Sequence, residues 1–492
     1  MSLRPRLSMC VLLASLCMCA PALDLTLEGS GTASTETPNP VWLALDMRAV
    51  HELKDFSFLW DVSVSGDGHY GGLFGGSSPF GNATVMVREG GLLWHSGRFN
   101  ISAGRLAMHD EVDSPYSLFM SSRGNAALNV LFRYEDDRFF FSDRWVALNY
   151  NSVDTAWPDR SAVIKNYGMK FGDLRVGFQD ALVFTDKALL DWNTSPPTGG
   201  SRTPVFDPNY FFNPAPGILL QYAATSADAP WQTNPALNDN TVLGFFAVLN
   251  KGDMAYDAQI LIDDINTNRF VHPNSFQNPD KIAWGLGASM HTDHGLFGLN
   301  TAGATKYTFE PAYDGSGNTD YGYTFYPDTQ FMLRGVPTAI DPESNYLGYL
   351  HGENNLAFMA SWNSLPGRLS GKANLEFTIS GSKSPANPWG ALLVYSDGGQ
   401  GTKFLNDAVL EKKLVLGGRT EFLMGDWLFY ADAMVGWVWN RLKLTSVTND
   451  QQTTEPDHLM GVDRINGIPI YYPSSESSPI GSLTLGVKLL LK

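Results

Sequence analysis

The chain contains almost no cysteine, and the little it has is confined to its first twenty residues. Three of its 492 residues are cysteines: Cys10, Cys17 and Cys19. A chain that began at Leu23 would contain none. Such a chain could form no disulfide and carry no thiol nucleophile, so both are excluded as sources of stability or catalysis.

Residues 1–22 have the organisation of a secretory signal peptide. Arg4 and Arg6 supply a positive start, an apolar run follows over residues 9–19, and residues 20–22 read Ala-Pro-Ala. Small residues in an A-x-A pattern are what signal peptidase cleaves after. We therefore predict that residues 1–22 are removed, that the chain crosses the inner membrane, and that residues 23–492 form a single domain.

A lipoprotein signal is the alternative interpretation, because a cysteine lies in the right zone. Cys17 follows the bulky Leu16, however, and Cys19 follows Met18. The apolar run is also too short to span a bilayer, for which about 20 residues are needed. Neither a lipid anchor nor a membrane helix is therefore favoured here.

Charged residues are scarce as well, at 17% of the chain, and beyond residue 22 no apolar run is long enough for a transmembrane helix. Formal net charge is −16, and losing the two positive charges of Arg4 and Arg6 changes it to −18. Nucleic-acid binding needs a basic surface. We therefore exclude nucleic acid as a partner.

In place of long apolar runs the sequence has short alternating segments. One face of residues 254–264 is mostly apolar, with Met254, Tyr256, Ala258, Ile260 and Ile262, and the other is mostly polar, with Asp257, Gln259, Leu261 and Asp263. Similar alternation occurs at residues 145–150, 374–379 and 483–491. A membrane-spanning β-strand needs only about 9–11 such residues. A soluble sandwich with one wet face is the alternative.

The connections between these segments alternate in length. Eight short turns with hairpin chemistry are found at residues 54–55, 96–97, 135–137, 172–173, 251–253, 293–295, 366–367 and 425–426. Long polar loops lie at residues 66–83, 105–125, 186–216, 309–354, 380–401 and 447–479. Short turns at one end and long loops at the other are typical of outer-membrane barrels.

Eight hairpins, a first strand near Leu25 and a C-terminal strand give about eighteen strands. We therefore predict an all-β fold, a transmembrane antiparallel β-barrel whose lumen is plugged by its Gly-, Pro- and aromatic-rich loops. Residues 217–224 complicate the count: they are either a further strand or a segment in the lumen or a loop. Barrel-assembly machinery commonly recognises a last strand that ends in an aromatic residue, whereas this chain ends in Lys492.

Alternation also predicts which side chains face lipid and which face the lumen. Asp257, Gln259 and Asp263 are predicted to face the lumen, and Ile260 to face lipid. Arginine should be costly at Ile260 and much less so at Gln259. Seven tryptophans near strand ends suit the interfacial girdles of such barrels: Trp60, Trp94, Trp284, Trp362, Trp427, Trp437 and Trp439.

No pattern predicts an enzyme, a metal site or a cofactor. His291 and His294 span a hairpin turn without a second ligand cluster. Ser316 lies between two glycines, but at the wrong spacing for a nucleophile elbow. Asp263 and Asp264 are adjacent in a strand, so their carboxylates point to opposite sides.

Binding is better supported than catalysis. Two loop stretches, residues 186–216 and 226–240, combine many Asn, Asp and Thr with five aromatic residues: Trp192, Tyr210, Phe211, Phe212 and Trp231. Flat rings and planar polar groups are the chemistry that sugars favour. The alternative is that these rings fill or stiffen the lumen.

Several segments in the middle of the chain go beyond a generic barrel pattern. They read SPYSLFMS at 114–121, DPNY at 207–210, NDNTVLGF at 238–245, AQILIDDI at 258–265 and NPDKIAWGLG at 278–287. With Ala103-Gly104-Arg105, Asn213-Pro214 and weaker matches at residues 306–309 and 345–349, they resemble the capsule-assembly Wzi family of outer-membrane proteins. The resemblance covers about residues 97–362.

The resemblance implies a monomeric barrel of about eighteen strands with a plugged lumen and a lectin-like role at the cell surface. Its partners would be outer-membrane lipid, barrel-assembly machinery and a surface polysaccharide. A porin or substrate-specific channel remains the other hypothesis, since the acidic excess suits a cation-tolerant pore. The two hypotheses differ in whether the lumen is closed.

We predict that the processed chain begins near Leu23 and fractionates with the outer membrane. The A-x-A site sets the cleavage point, and the alternating strands require a bilayer around them. Mass spectrometry of the N-terminus and membrane fractionation measure both. A soluble periplasmic protein, or a lipidated Cys17, would contradict the prediction.

Overall fold

The computed structural model describes residues 23–37, 39–68, 83–124, 126–149, 159–185, 204–220, 239–265, 268–271, 279–310, 322–325, 330–333, 336–339, 342–383, 401–447 and 468–491. Eighteen strands form the barrel wall: β1 (Leu23–Ser34), β2 (Val41–Leu53), β3 (Phe56–Ser65), β4 (Thr84–Ser96), β5 (Phe99–Leu106), β6 (Ala127–Glu135), β7 (Phe139–Asn149), β8 (Arg160–Phe171), β9 (Leu174–Thr185), β10 (Asn240–Lys251), β11 (Met254–Asp264), β12 (Pro279–Thr292), β13 (Gly295–Ala304), β16 (Asn355–Asn363), β17 (Leu369–Ser380), β19 (Glu411–Met424), β20 (Trp427–Trp439) and β23 (Ser478–Leu491). Each pairs antiparallel with the wall strand before it. The predicted number of strands is confirmed.

The wall closes between its first and last strands. Leu25 of β1 lies opposite Leu491 of β23, and the register continues to Ser34 opposite Ser482. Closure pairs the backbone groups that an open sheet would leave along its edges. The soluble sandwich is therefore wrong, and a closed antiparallel barrel is correct.

All eight predicted hairpin turns join wall strands at one end, which we call the short-turn end. Gly172 and Gly252 each occupy a left-handed backbone conformation, with φ of 61° and 59°, in two such turns. Glycine adopts this conformation without the clash that a Cβ would cause. The remaining connections lie at the opposite, long-loop end.

Alternation along the wall strands gives the barrel an apolar outer surface. In β23, Leu483, Leu485 and Leu491 are exposed on the outside. Strand β11 has the predicted bounds, with Tyr256 and Ile260 also exposed there. The structure therefore has the apolar outward band that a membrane barrel presents to lipid.

The seven predicted girdle tryptophans all lie on outward-facing strand positions. Trp94, Trp362 and Trp427 are close to the short-turn end, and Trp437 and Trp439 are close to the long-loop end. The other two differ: Trp60 lies midway along β3, and Trp284 packs edge-on against Phe404, with ring centroids 5.1 Å apart.

Smaller elements occur within the long loops. Strands β14 (Gln330–Leu333) and β15 (Val336–Ala339) form one hairpin, β21 (Leu442–Val447) and β22 (Ile468–Pro473) form another, and β18 (Gly401–Thr402) pairs parallel with the start of β12. Short helices are α1 (Pro208–Phe212), α2 (Asn268–Val271) and α3 (Pro342–Asn345). Among the described residues no helix is long and apolar enough to cross a membrane.

Residues 217–220 form a helical turn, in which Leu219 and Leu220 donate to the carbonyl of Pro216. They add no strand to the wall, and they lie against its outer surface rather than in the lumen. Residues 221–224 and the predicted signal peptide fall outside the described residues.

We expect Ile260→Arg to destabilise the barrel by about 2–4 kcal/mol, because it places a charge on the lipid face. Gln259→Arg is a poor comparison, because Gln259 is buried and accepts a hydrogen bond from the backbone of Leu118, so we now expect arginine to be costly there too. Ala44→Arg, on a partly exposed lumen position of β2, is the matched control. Urea unfolding in lipid vesicles measures both, and equal losses would contradict the assigned faces.

Candidate functional site

Loops from the long-loop end fold back into the barrel and fill the part of the lumen lined by β5–β13, β16 and β17. We call these segments the plug: residues 107–124, 305–310, 322–325 and 342–354. Their large side chains share one buried core with small residues of the wall; it includes Leu118, Phe119, Met120, Phe309, Tyr323, Tyr346, Tyr349, Ala162, Ala181, Ala283, Ala302 and Ala357. This part of the lumen is packed like a protein interior.

A buried carboxylate ties the plug to the wall. Asp110 accepts hydrogen bonds from the side chains of Gln179 in β9 (2.6 Å) and Gln259 in β11 (2.9 Å). It also accepts from the backbone of Phe119 (3.1 Å) and Met120 (3.3 Å). Burial raises the pKa of Asp110, although these hydrogen bonds oppose the rise. We call Asp110 with its four partners the Asp110 knot.

Close contacts between wall and plug also depend on small residues. A Cβ at Gly244 of β10 would lie 2.6 Å from the ring of Phe119 in the plug, and, within the plug, one at Gly348 would lie 1.9 Å from the carbonyl oxygen of Leu118. Real Cβ atoms essentially never approach so closely. The wall and the plug are therefore shaped for one another.

A second polar cluster fixes the plug against β17. Tyr116 donates to Glu376 (2.8 Å), and Nε2 of His351 lies 2.9 Å from the same carboxylate. Nδ1 of His351 lies 3.1 Å from Glu343 at the end of the cluster. Arg123 adds an ion pair with Glu376 at 3.5 Å. We call these five residues the His351 cluster.

Further cations and rings surround the His351 cluster. Lys413 lies 3.7 Å from Glu343, and Lys383 donates to the carbonyl of His351 at 2.8 Å. The ring of Tyr349 packs edge-on against His351, with centroids 5.7 Å apart. Burial alone would lower the pKa of His351, but the hydrogen bonds and charges of Glu343 and Glu376 outweigh it and raise that pKa above 6.5.

A third anchor joins the plug to the short-turn half of the wall. Glu111 pairs with Arg133 of β6 and, at 2.9 Å, with Arg175 of β9. The guanidinium of Arg175 lies 4.7 Å from the ring centroid of Phe140, which is itself buried against Val112. Both guanidinium groups are thus paired with the same carboxylate inside the barrel.

The remaining wall has a different interior. Inward-facing side chains of β1–β4, β19, β20 and β23 line a partly exposed surface that we call the vestibule. Arg88 pairs with Asp61 (3.0 Å) and Asp46 (3.6 Å), and Lys488 pairs with Glu28 (2.7 Å). Several of these groups remain in contact with solvent, so this part of the lumen is polar and accessible.

Strands β19 and β20 continue the vestibule. Arg419 pairs with Glu421 at 2.7 Å, approaches Asp432 at 3.9 Å, and lies 4.0 Å from the ring centroid of Tyr430. Towards the long-loop end the same wall becomes apolar, where Val415, Val438 and Ile480 form a buried cluster. The vestibule wall therefore changes from charged side chains to an apolar layer towards the long-loop end.

The predicted sugar-binding rings are not gathered on one open face. Tyr210 and Phe211 are only 6% and 9% exposed, because they pack against the outer surface of β7–β9 with Trp145 and Phe184. Phe212 points the other way and is 73% exposed. Trp192 and Trp231 lie outside the described residues.

The three predicted lumen residues all approach plug segments. Gln259 belongs to the Asp110 knot, Asp263 faces the backbone of Phe309, and Asp257 lies close enough to Asp113 for their charges to repel. What the sequence did not reveal was Asp110, since its four partners in the knot lie at least nine residues away along the chain. A lone acid in a long loop gives no signal of this role.

The catalytic hypotheses set aside in the sequence gain no geometric support among the described residues. His294 lies in the short turn after β12, and its carbonyl accepts from the indole of Trp362 at 3.0 Å. Asp263 itself lies at an irregularity in the β11–β12 register, between Ile262 and Asp264. Ser316 falls outside the described residues.

Comparison with known proteins gives a fold rather than a family. No family model matches the sequence, and no curated protein matches it. Among solved structures, the chain is similar to Wzi, described as a carbohydrate-binding β-barrel involved in group 1 capsule assembly in Escherichia coli. The two sequences are 9% identical, the match covers 98% of this chain and 88% of that chain, and the TM-score is 0.50. The chain has the fold of an outer-membrane β-barrel.

Two further similar structures are outer-membrane proteins of other bacteria. OpdK from Pseudomonas aeruginosa is 8% identical, with 95% of this chain and 98% of that chain covered and a TM-score of 0.43. OccAB2 from Acinetobacter baumannii is 9% identical, with 96% and 98% covered and a TM-score of 0.42. Likeness at this level adds nothing about what the barrel binds.

We predict that the barrel loses stability as pH rises above about 6.5. Because the pKa of His351 is raised on folding, its ion pairs stabilise fully below its unfolded pKa and are lost as pH rises through its folded pKa. The loss is about 1.4 kcal/mol for every unit by which the pKa is raised. Thermal unfolding, followed by heat-modifiable gel migration from pH 6 to 9, measures it.

His351→Gln should flatten this pH dependence, because glutamine keeps hydrogen-bonding groups but does not titrate. His95→Gln, near the short-turn end, is the control and should leave the dependence unchanged. A slope that survives His351→Gln would show that another group is responsible.

Proposed function

We propose that this protein is a closed outer-membrane barrel that binds a surface polysaccharide at its long-loop end, rather than a pore for small solutes. The observation that carries the proposal is the plug. Its core of tyrosine, phenylalanine, leucine and methionine packs directly against the wall from β6 to β16. A diffusion pore needs an open polar path, and this packing occupies the lumen that such a path would use.

The nature of the ligand is inferred from the loops and from the similar fold. The long loops combine aromatic rings with Asn, Asp and Thr, which suits the C–H faces and hydroxyls of sugars. Wzi is described as carbohydrate binding, and its barrel is similar to this one. Because Tyr210 and Phe211 are buried, the proposal gives the sugar-contacting role to Trp192 and Trp231 of the same loop.

A porin is the second candidate, and the vestibule favours it. Its partly exposed ion pairs line one side of the lumen from the short-turn end. Acidic residues are in excess along this wall, so a pore built on it would prefer cations. The apolar layer of Val415, Val438 and Ile480 is the barrier that such a pore would have to open.

Conductance in planar bilayers tests whether the lumen is closed. We expect the unaltered protein to show little conductance, and Asp110→Ala to increase it, since the substitution removes the acceptor that joins Gln179 and Gln259 of the wall to two backbone amides of the plug. Asp253→Ala, in a short turn, is the matched control. Large conductance in the unaltered protein, unchanged by Asp110→Ala, would establish the porin instead.

Retention on immobilised cell-surface polysaccharides tests the ligand. Trp192→Ala combined with Trp231→Ala should weaken retention while leaving heat-modifiable migration intact, because the rings are proposed to contact sugar and not to hold the barrel together. Phe404→Ala serves as a control on another loop. Absence of retention by the unaltered protein on acidic and neutral capsular polysaccharides would overturn the proposal.

A further inference from the structure

Three charged residues lie on the outward face of the barrel wall, where lipid is expected. In the β7–β8 register Phe139 lies opposite Met169, and both are exposed on the outside. Counting by twos from this pair puts Asp143 and Lys165 on the same outward face, opposite one another. Asp180 of β9 lies opposite Lys165 and joins them.

These charges are nevertheless buried. The side chains of Lys165 and Asp143 are only 1% and 3% exposed, and their charged atoms lie 4.0 Å apart. Counting outward residues back from the Gly172 turn, Lys165 is the fourth. Strands that rise about 3.3 Å per residue and tilt by about 40° place it about 15 Å from Phe171 along the barrel axis. An apolar belt about 25 Å tall would have its middle close to this level.

Residues 204–220 are what covers them, and we call this segment the wall strap. The ammonium of Lys165 donates to the carbonyls of Asn213 (2.6 Å) and Ala215 (2.9 Å), and the backbone of Gly217 donates to Asp180. The hydroxyl of Tyr167 donates to the carbonyl of Pro214 at 2.9 Å. The wall thus supplies partners for backbone groups that no strand pairing satisfies.

An apolar contact holds the other half of the wall strap. Tyr210 and Phe211 of α1 pack on Trp145, Val163, Leu182 and Phe184 of the outward wall face. The carbonyl of Val205 accepts from the indole of Trp145 (3.0 Å) and from the hydroxyl of Ser161 (2.7 Å). The inner side of the wall strap therefore packs against the barrel wall and hydrogen-bonds to it.

Its other side is apolar and exposed. Phe206, Phe212 and Leu219 are all exposed, although one edge of the Phe206 ring also contacts Trp145 of the wall, with centroids 5.6 Å apart. Asp207, whose carboxylate accepts from the backbone of Asn209 at 2.8 Å, is the single charged residue in the sequence of the wall strap, and residues 208–220 contain none. These exposed side chains continue the apolar outward surface formed by Met169, Phe171 and neighbouring strands. An aqueous loop of this length would ordinarily carry charge, whereas a segment in hydrocarbon would not.

We propose that the wall strap is embedded in the outer leaflet, where Phe206, Phe212 and Leu219 contact lipid acyl chains, Lys165 and Asp180 hold its backbone, and Asp143 pairs with Lys165. Irregular backbone is tolerated at membrane depth only where other groups satisfy it, and these residues provide that satisfaction. In return, the wall strap shields one lysine and two aspartates from hydrocarbon. Without the wall strap the charged patch of the wall would face lipid, and without that patch the backbone of the wall strap would lack hydrogen-bond partners in lipid.

Fluorescence quenching in phosphatidylcholine vesicles tests the location. Bimane is attached at Phe212→Cys or Leu219→Cys in a chain whose Cys10, Cys17 and Cys19 are replaced by alanine. We expect brominated acyl chains to quench both labels several-fold more than aqueous iodide does. Met169→Cys is the lipid-facing control, and Asp253→Cys, in a short turn, is the aqueous control.

Two results would overturn the proposal. The labels at residues 212 and 219 could be quenched by iodide as strongly as the label at residue 253, which would place the wall strap in water. They could instead be shielded from both quenchers and cross-link between molecules, which would show that a second copy covers this face.

Lys165→Met tests the polar half independently, because methionine keeps an unbranched chain but cannot donate to the carbonyls of Asn213 and Ala215. We expect the label at residue 219 to become accessible to iodide or the wall strap to become sensitive to protease. Lys170→Met, on an inward-facing lysine of the same strand, is the control. If Lys165→Met fails to fold, the quenching pattern of the otherwise unaltered chain still decides the proposal.

Discussion

The interior of this barrel depends on the carboxylate of Asp110. It is buried, yet it accepts from two wall glutamines and from two backbone amides of the plug, so one group joins both parts. Gln259 also bonds to Gln179 and to the backbone of Leu118, which makes the knot continuous from strand to strand. A buried polar network of this kind is stabilising only when every member is satisfied, and that requirement selects one position for the plug.

Once the plug is in place, the two halves of the lumen differ in chemistry. From β5 to β17 the inward positions are often small, such as Ala181 and Ala302, because large plug side chains occupy the space. Around β1–β4 and β19–β23 the inward positions carry partly exposed ion pairs instead. The proposed functions follow this division, since polysaccharide binding uses a closed lumen and conduction would use the vestibule.

Prediction from sequence succeeded where the controlling physics is local. The strand Met254–Asp264 was predicted with the bounds it has, because a period of two is set by the strand backbone itself. Short turns were equally predictable, because residues such as Gly172 adopt conformations that other residues avoid. Gln259 shows what local patterns do not predict. The strand period predicted that its side chain faces the lumen, but not its hydrogen bonds to the plug.

Strand alternation and turn chemistry were enough to predict a barrel with an apolar outer surface, long loops at one end and short turns at the other, and the pairing of β1 with β23 then excluded a sandwich. Only the tertiary structure decided where those loops lie. Residues 107–124 fold inward and residues 204–220 fold outward, although both are long polar and aromatic connections. The reason is that their partners, Gln259 for one and Lys165 for the other, are distant in sequence, so neither contact leaves a local pattern.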